Sequence, residues 1–112
     1  MNAPIFVGMD DEPLVIFRTA SKVTVYAEAI DVENGVYGPV FDWDGYRLEL
    51  DIVRERRRGW FRGGDQVVMR ELDDPPDPDG LAELLDRALE LMGEVDSLDE
   101  LRRRALEKFG FT

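Results

Sequence analysis

A short run of acidic residues and prolines at positions 73–79 most constrains the fold of this chain of 112 residues. The run reads Asp-Asp-Pro-Pro-Asp-Pro-Asp, and three prolines so close together exclude a regular helix or a central strand. We therefore predict a linker here, with Asp79 capping a helix that starts directly after it. The apolar patterns on the two sides of the linker are then interpreted separately.

Two helices are predicted after the linker. Apolar residues recur three and four positions apart between residues 81 and 92, which is the spacing of one helix face, and Gly93 is expected to end this helix. Ser97 and Glu100 have the spacing of a capping box, which opens a last helix that continues to Phe109.

Strands are predicted before the linker. Residues 14–17 form a short apolar run typical of a buried strand. Residues 5–7 are either another short strand or a tail that packs on the core. Residues 46–52 alternate between apolar and charged side chains, as a strand with one buried face does. Residues 36–41 form another largely apolar run. The Asp44-Gly45 pair between residues 36–41 and 46–52 predicts a hairpin, with the positive φ angles of a type I′ turn. Residues 66–72 predict a further strand.

Residues 21–32 fit two patterns. Their β-branched residues alternate as in a strand, and their propensity favours one. Their apolar residues also follow helical spacing, Ser21 is a good N-cap, and Asn34-Gly35 supplies a stop, so we prefer a helix. The helical face consists of Val23, Tyr26, Ala27 and Ile30.

These elements predict a single domain over residues 1–112 of the α+β class. We expect an antiparallel β-sheet of about four to five strands arranged as a meander, with an N-terminal helix and two C-terminal helices packed on one face. No cysteine is present, and neither a signal peptide nor an apolar run long enough to cross a bilayer is found. The expected location is therefore the cytoplasm.

The amino-acid composition restricts the range of possible functions more than any sequence motif does. The chain has no histidine and no cysteine, which are the usual general base near neutral pH and the usual soft-metal ligands. Its 25 Asp and Glu residues outnumber 14 Lys and Arg, for a formal net charge of -11. Such a charge repels nucleic acid and anionic membranes and attracts a basic protein. We expect no catalytic residues, no cofactor and no metal site.

Two charged segments suggest other ligands. The carboxylates of residues 73–79 could hold a hard cation, but their spacing is not that of a calcium-binding loop. The arginines of residues 54–58 lie beside Trp60 and Phe61, a combination that resembles a small nucleic-acid footprint. Because the whole chain is strongly acidic, we interpret these arginines as a solvated turn between strands.

A tryptophan at the predicted hairpin tip is the candidate partner-binding residue. Trp43 stands between Asp42 and Asp44, so an exposed ring could anchor an interface while the acids steer a basic partner. Asp31 and Glu33, on the turn before the hairpin, would add to this site. The alternative is that Trp43 folds back onto the sheet as part of the core.

Residues 26–48 resemble a pattern found in small acidic bacterial proteins of unassigned function. The resemblance depends on Ile30-Asp31-Val32-Glu33-Asn34-Gly35, followed by Phe41-Asp42-Trp43-Asp44-Gly45. Some of those proteins resemble immunity proteins, which neutralise a toxin by binding it directly. The resemblance implies a helix before Asp31 and a binding function without catalysis.

The function expected from the sequence is thus that of an immunity-type inhibitor that covers a basic surface of a protein toxin. Such an inhibitor needs complementarity and no reactive side chains, which suits this composition. One alternative is a homo-oligomeric structural or regulatory module, for example a homodimer formed through the sheet or the last helices. A second alternative is an enzyme that depends on carboxylates alone.

Overall fold

A computed structural model describes residues 1–53 and 66–112, apart from the side chain of Ile30. Within those residues the chain forms five antiparallel strands and four helices, which confirms the predicted α+β class. The strands are β1 (Ile5–Met9), β2 (Val15–Phe17), β3 (Tyr37–Phe41), β4 (Arg47–Val53) and β5 (Gln66–Glu71). The helices are α1 (Ala20–Tyr26), α2 (Ala29–Glu33), α3 (Pro78–Leu89) and α4 (Leu98–Phe109). The predicted arginine turn at 54–58, with Trp60 and Phe61, lies outside the described residues.

The strands form one sheet in the order β2-β1-β3-β4-β5. The meander expected through the middle of the chain consists of β3, β4 and β5, and the alternating strand β4 pairs with β5 from Leu48 to Val53. Strand β1 is an interior strand, because Phe6 pairs with Ile16 of β2 on one side and with Phe41 of β3 on the other.

Strands β1 and β2 are buried on both faces of the sheet. Phe6 packs with Ile16 and Phe41 against helices α3 and α4, so the two C-terminal helices share one face as predicted. Ile5 and its neighbours on the other face pack around Val23 of α1. Burial on both faces explains why residues 5–7 and 14–17 read as continuous apolar runs and do not alternate.

Helix α1 contacts both β2 and β5, which lie at opposite edges of the sheet, so the sheet curls around it. The helix preferred for residues 21–32 is therefore present, but it is broken into α1 and α2 at Ala27, whose ψ of 130° is extended. Its N-cap is Thr19 and not Ser21: the Thr19 hydroxyl accepts a hydrogen bond from the Lys22 N–H at 3.3 Å.

The linker leads into α3 through a cap two residues earlier than predicted. Asp77, and not Asp79, is the N-cap, and its carboxylate accepts a hydrogen bond from the Gly80 N–H at 2.9 Å. Pro78 then occupies the first turn, where no N–H is needed. Helix α3 also ends before Gly93, because Glu90 adopts a left-handed conformation with φ of 56°. Met92 is consequently outside the helix and 93% exposed.

Candidate protein-binding site

The turn that joins β3 and β4 forms the predicted hairpin but not the predicted turn type. The Gly45 N–H donates to the Asp42 carbonyl at 3.3 Å, and the Asp42 N–H donates to the Tyr46 carbonyl at 3.0 Å. Gly45 has φ of 92°, whereas Asp44 is not in the positive-φ region that a type I′ turn requires. The geometry is that of a type I turn followed by a bulge glycine. The Gly45 carbonyl accepts the Asp77 N–H at 2.8 Å, which joins this turn to the start of α3.

The Asp42 carboxylate holds this turn together. Asp42 is 0% exposed, and one of its oxygens accepts the N–H groups of Asp44 and Tyr46 at 3.0 and 2.9 Å. Its other oxygen accepts the Asn2 N–H at 3.1 Å. All three hydrogen bonds come from backbone N–H groups, so this carboxylate ties the turn to the start of the chain. Asp42 was predicted to face a partner, but its carboxylate is enclosed within the fold.

Trp43 lies against the core. This is the alternative predicted from the sequence, in which the ring folds back onto the sheet. Its ring is half-buried and stacks on Phe6, with ring centres 6.0 Å apart. The guanidinium carbon of Arg102 lies over the Trp43 ring, 4.8 Å from the ring centre, in the geometry of a cation–π interaction. Arg102 is 9% exposed and pairs with Asp99 at 2.7 Å. Trp43 therefore links the turn to helix α4.

The five predicted partner-binding residues are not brought together. Asp44 is exposed on the β3–β4 turn, where its carboxylate accepts a hydrogen bond from the Asn2 side chain. Asp31 and Glu33 belong to α2, which precedes the opposite end of β3. A strand of this length separates its two ends by roughly 15 Å. The expectation that Asp31 and Glu33 lie beside the hairpin tip is therefore wrong.

The arginines of α4 and β5 form ion pairs within the fold. Arg103 and Arg104 of α4 both donate to the Glu100 carboxylate, and these hydrogen bonds lower the pKa of Glu100 to about 2. Arg70 of β5 pairs across the strand with Glu49 at 3.2 Å and lies 3.3 Å from Asp51. The run of arginines on α4 is thus neutralised locally and offers little to an anionic ligand.

The acids of the linker before α3, in contrast to those on α4, are not used in ion pairs among the described residues. Asp73 and Asp74 are exposed, and neither forms an ion pair with any residue of the described ranges. They border a groove of about 550 Å³ between the linker and the start of β4. Tyr46, 43% exposed, also lines this groove. We call it the acidic groove and define it by Tyr46, Glu71, Asp73, Asp74, Pro75 and Pro76. Arg47 and Met1 also line it, and the Met1 ammonium group pairs with Glu71 at 3.0 Å, which leaves Asp73 and Asp74 as its unpaired acids among the described residues.

Sequence reasoning treated this linker as a solvated segment and missed the groove. A signal was nevertheless present. An aspartate closes a local turn by accepting the N–H two residues further on. For Asp73 and Asp74 those positions are Pro75 and Pro76, which have no N–H. The sequence therefore implies that these two carboxylates lack local backbone donors.

No family model, curated protein or solved structure matches this chain. Among residues 1–53 and 66–112, no cluster of three or more potential ligands could hold a metal ion. Within the same ranges, no helix has the length and apolar character needed to span a bilayer.

Proposed function

We propose that this protein is a non-catalytic binding protein, an immunity-type inhibitor whose acidic groove covers a basic surface of a protein toxin. One observation carries the proposal: Asp73 and Asp74 are exposed, lack basic partners among the described residues, and flank a groove that contains an exposed tyrosine.

The groove has the chemistry that recognises arginine or lysine. A cation can lie against the face of Tyr46 while Asp73 and Asp74 accept its hydrogen bonds, and each contact is stronger when the partner excludes water. Pro75 and Pro76 restrict the backbone beside these acids, so less conformational entropy is lost on binding.

The charge of the whole molecule supports the same partner. A net charge of -11 accelerates the encounter with a basic protein, and this acceleration weakens as salt increases. Asp44 contributes to this field from the same turn as Tyr46. Asp31 and Glu33, at the other end of β3, would contact only a partner large enough to cover both places.

Two double variants with equal change in charge test the proposal. Asp73→Asn with Asp74→Asn neutralises the acidic groove, and Asp10→Asn with Asp11→Asn neutralises another exposed pair, on the β1–β2 turn. We expect the wild-type protein and the Asp10/Asp11 variant to retain one basic protein from the native host and inhibit its activity. The Asp73/Asp74 variant should bind it at least tenfold more weakly.

Equal affinity of the two variants would contradict the role of the acidic groove. Turnover of a small compound by the purified protein would contradict the non-catalytic function itself. Sedimentation distinguishes the self-associating alternative, since a tight homodimer that retains no foreign protein would favour it.

A further inference from the structure

A second groove lies at the edge of the sheet, between β2, α1 and the end of the chain. It has a volume of about 420 Å³, which is within the range of small-molecule sites in proteins. We call it the β2–α1 groove and define it by Phe17, Thr19, Ser21, Lys22, Val25, Tyr26 and Thr112.

The walls of the β2–α1 groove are apolar and face solvent. Val25 is 86% exposed although it is a β-branched hydrocarbon side chain on a helix. Tyr26 and the nearby Phe111 are also exposed, and the Tyr26 ring meets Phe17 edge-on at 5.2 Å. Single exposed apolar residues are ordinary, but several at one groove indicate a contact surface.

Two basic residues lie in or beside this groove, although the chain as a whole is acidic. Lys22 lines it, and Arg18 follows Phe17 and lies over the Phe111 ring at 4.3 Å. Neither cation forms an ion pair with a carboxylate of the described residues, unlike the arginines of α4. The Thr19 and Ser21 side chains that line the groove add hydroxyl groups able to donate hydrogen bonds.

We propose that the β2–α1 groove binds a small single-chain amphipathic anion, with its hydrocarbon part against Phe17, Val25 and Tyr26 and its carboxylate beside Lys22. Apolar walls with one cation and a few hydroxyls match that ligand class. The surface of an anionic bilayer matches less well, because a net charge of -11 is repelled by it. This site is independent of the acidic groove.

Decanoate below its critical micelle concentration is the probe, with binding measured by isothermal titration calorimetry on the full chain. Lys22→Gln should raise the Kd about tenfold through the lost charge-assisted hydrogen bond. Lys108→Gln is the matched control, since Lys108 is the other lysine of the chain and lies outside the groove, and it should leave the Kd unchanged. Val25→Asp should lower the affinity at least tenfold. Because Val25 is 86% exposed, this substitution should leave the fold intact. Circular dichroism confirms that each variant is folded.

Four results would overturn the proposal. The first is no heat of binding with decanoate. The second is an equal effect of the two lysine variants. The third is equal affinity for decyltrimethylammonium, which has the same chain and the opposite charge. Binding to phosphatidylglycerol vesicles without binding to free decanoate would also overturn it, in favour of a membrane surface.

Discussion

Two acidic segments of this protein use their carboxylates in opposite ways. In the β3–β4 turn, Asp42 is buried and its carboxylate is bound by backbone N–H groups. In the linker before α3, Asp73 and Asp74 are exposed and have no basic partner within the described parts of the chain. The two segments are similarly acidic in sequence. The difference shows that the number of acids in a segment does not reveal whether they serve the fold or a partner.

The difference comes from the donors that surround each carboxylate. A tight turn leaves several backbone N–H groups unsatisfied, and an aspartate at its start is placed to accept them. Asp42 is in that position relative to Asp44 and Tyr46. The linker has prolines where such donors would be, so Asp73 and Asp74 stay available. Asp77 supports this explanation, because it has the Gly80 N–H within reach and caps α3 with it.

The largest effect is expected from Asp42→Ala. Three backbone N–H groups would lose a charged acceptor in part-buried surroundings, and we expect the free energy of unfolding to fall by about 4 kcal/mol. Urea denaturation followed by tryptophan fluorescence measures this change. Asp73→Ala is the matched control and should change stability by less than about 0.5 kcal/mol. Similar losses in the two variants would remove the distinction between the segments.

Local sequence patterns predict most of the helices and strands, but they predict few of the contacts in the candidate protein-binding site. Alternation in residues 46–52 predicted β4, and Ser97 caps α4 as its spacing predicts, with the Glu100 N–H donating to its hydroxyl. The contacts around Trp43 depend on residues far away in sequence, and no local pattern reports them. The same is true of the curl of the sheet around α1, and of the break at Ala27, because both are decided by packing against distant strands.

The next largest effect concerns Trp43, which the sequence presented as an anchor for a partner. Trp43→Ala should destabilise the protein by about 2 kcal/mol, because the half-buried ring packs on Phe6 and beneath Arg102. A double-mutant cycle with Arg102→Met should give a coupling of about 1 kcal/mol. Arg103→Met serves as the control, since Arg103 is exposed and pairs with Glu100 and Glu107.

Equal coupling of Trp43 to Arg102 and to Arg103 would mean that the ring does not link the turn to α4. The predicted coupling also affects the design of binding studies. A Trp43→Ala variant combined with Asp44→Lys will be less stable, so a loss of binding in that variant would not locate the partner site. Substitutions in the linker avoid this ambiguity.

The smallest effect on stability is expected from the linker itself. Asp73→Asn with Asp74→Asn removes two neighbouring like charges from an acidic surface, so stability should stay unchanged or rise by about 0.5 kcal/mol at low salt. The gain should disappear at about 1 M salt, where charges are screened over roughly 3 Å. Urea denaturation at both salt concentrations measures it. A loss above about 1 kcal/mol would show that these acids serve the fold, as Asp42 does. Unchanged stability together with weakened partner binding would instead mean that the fold leaves them free for recognition.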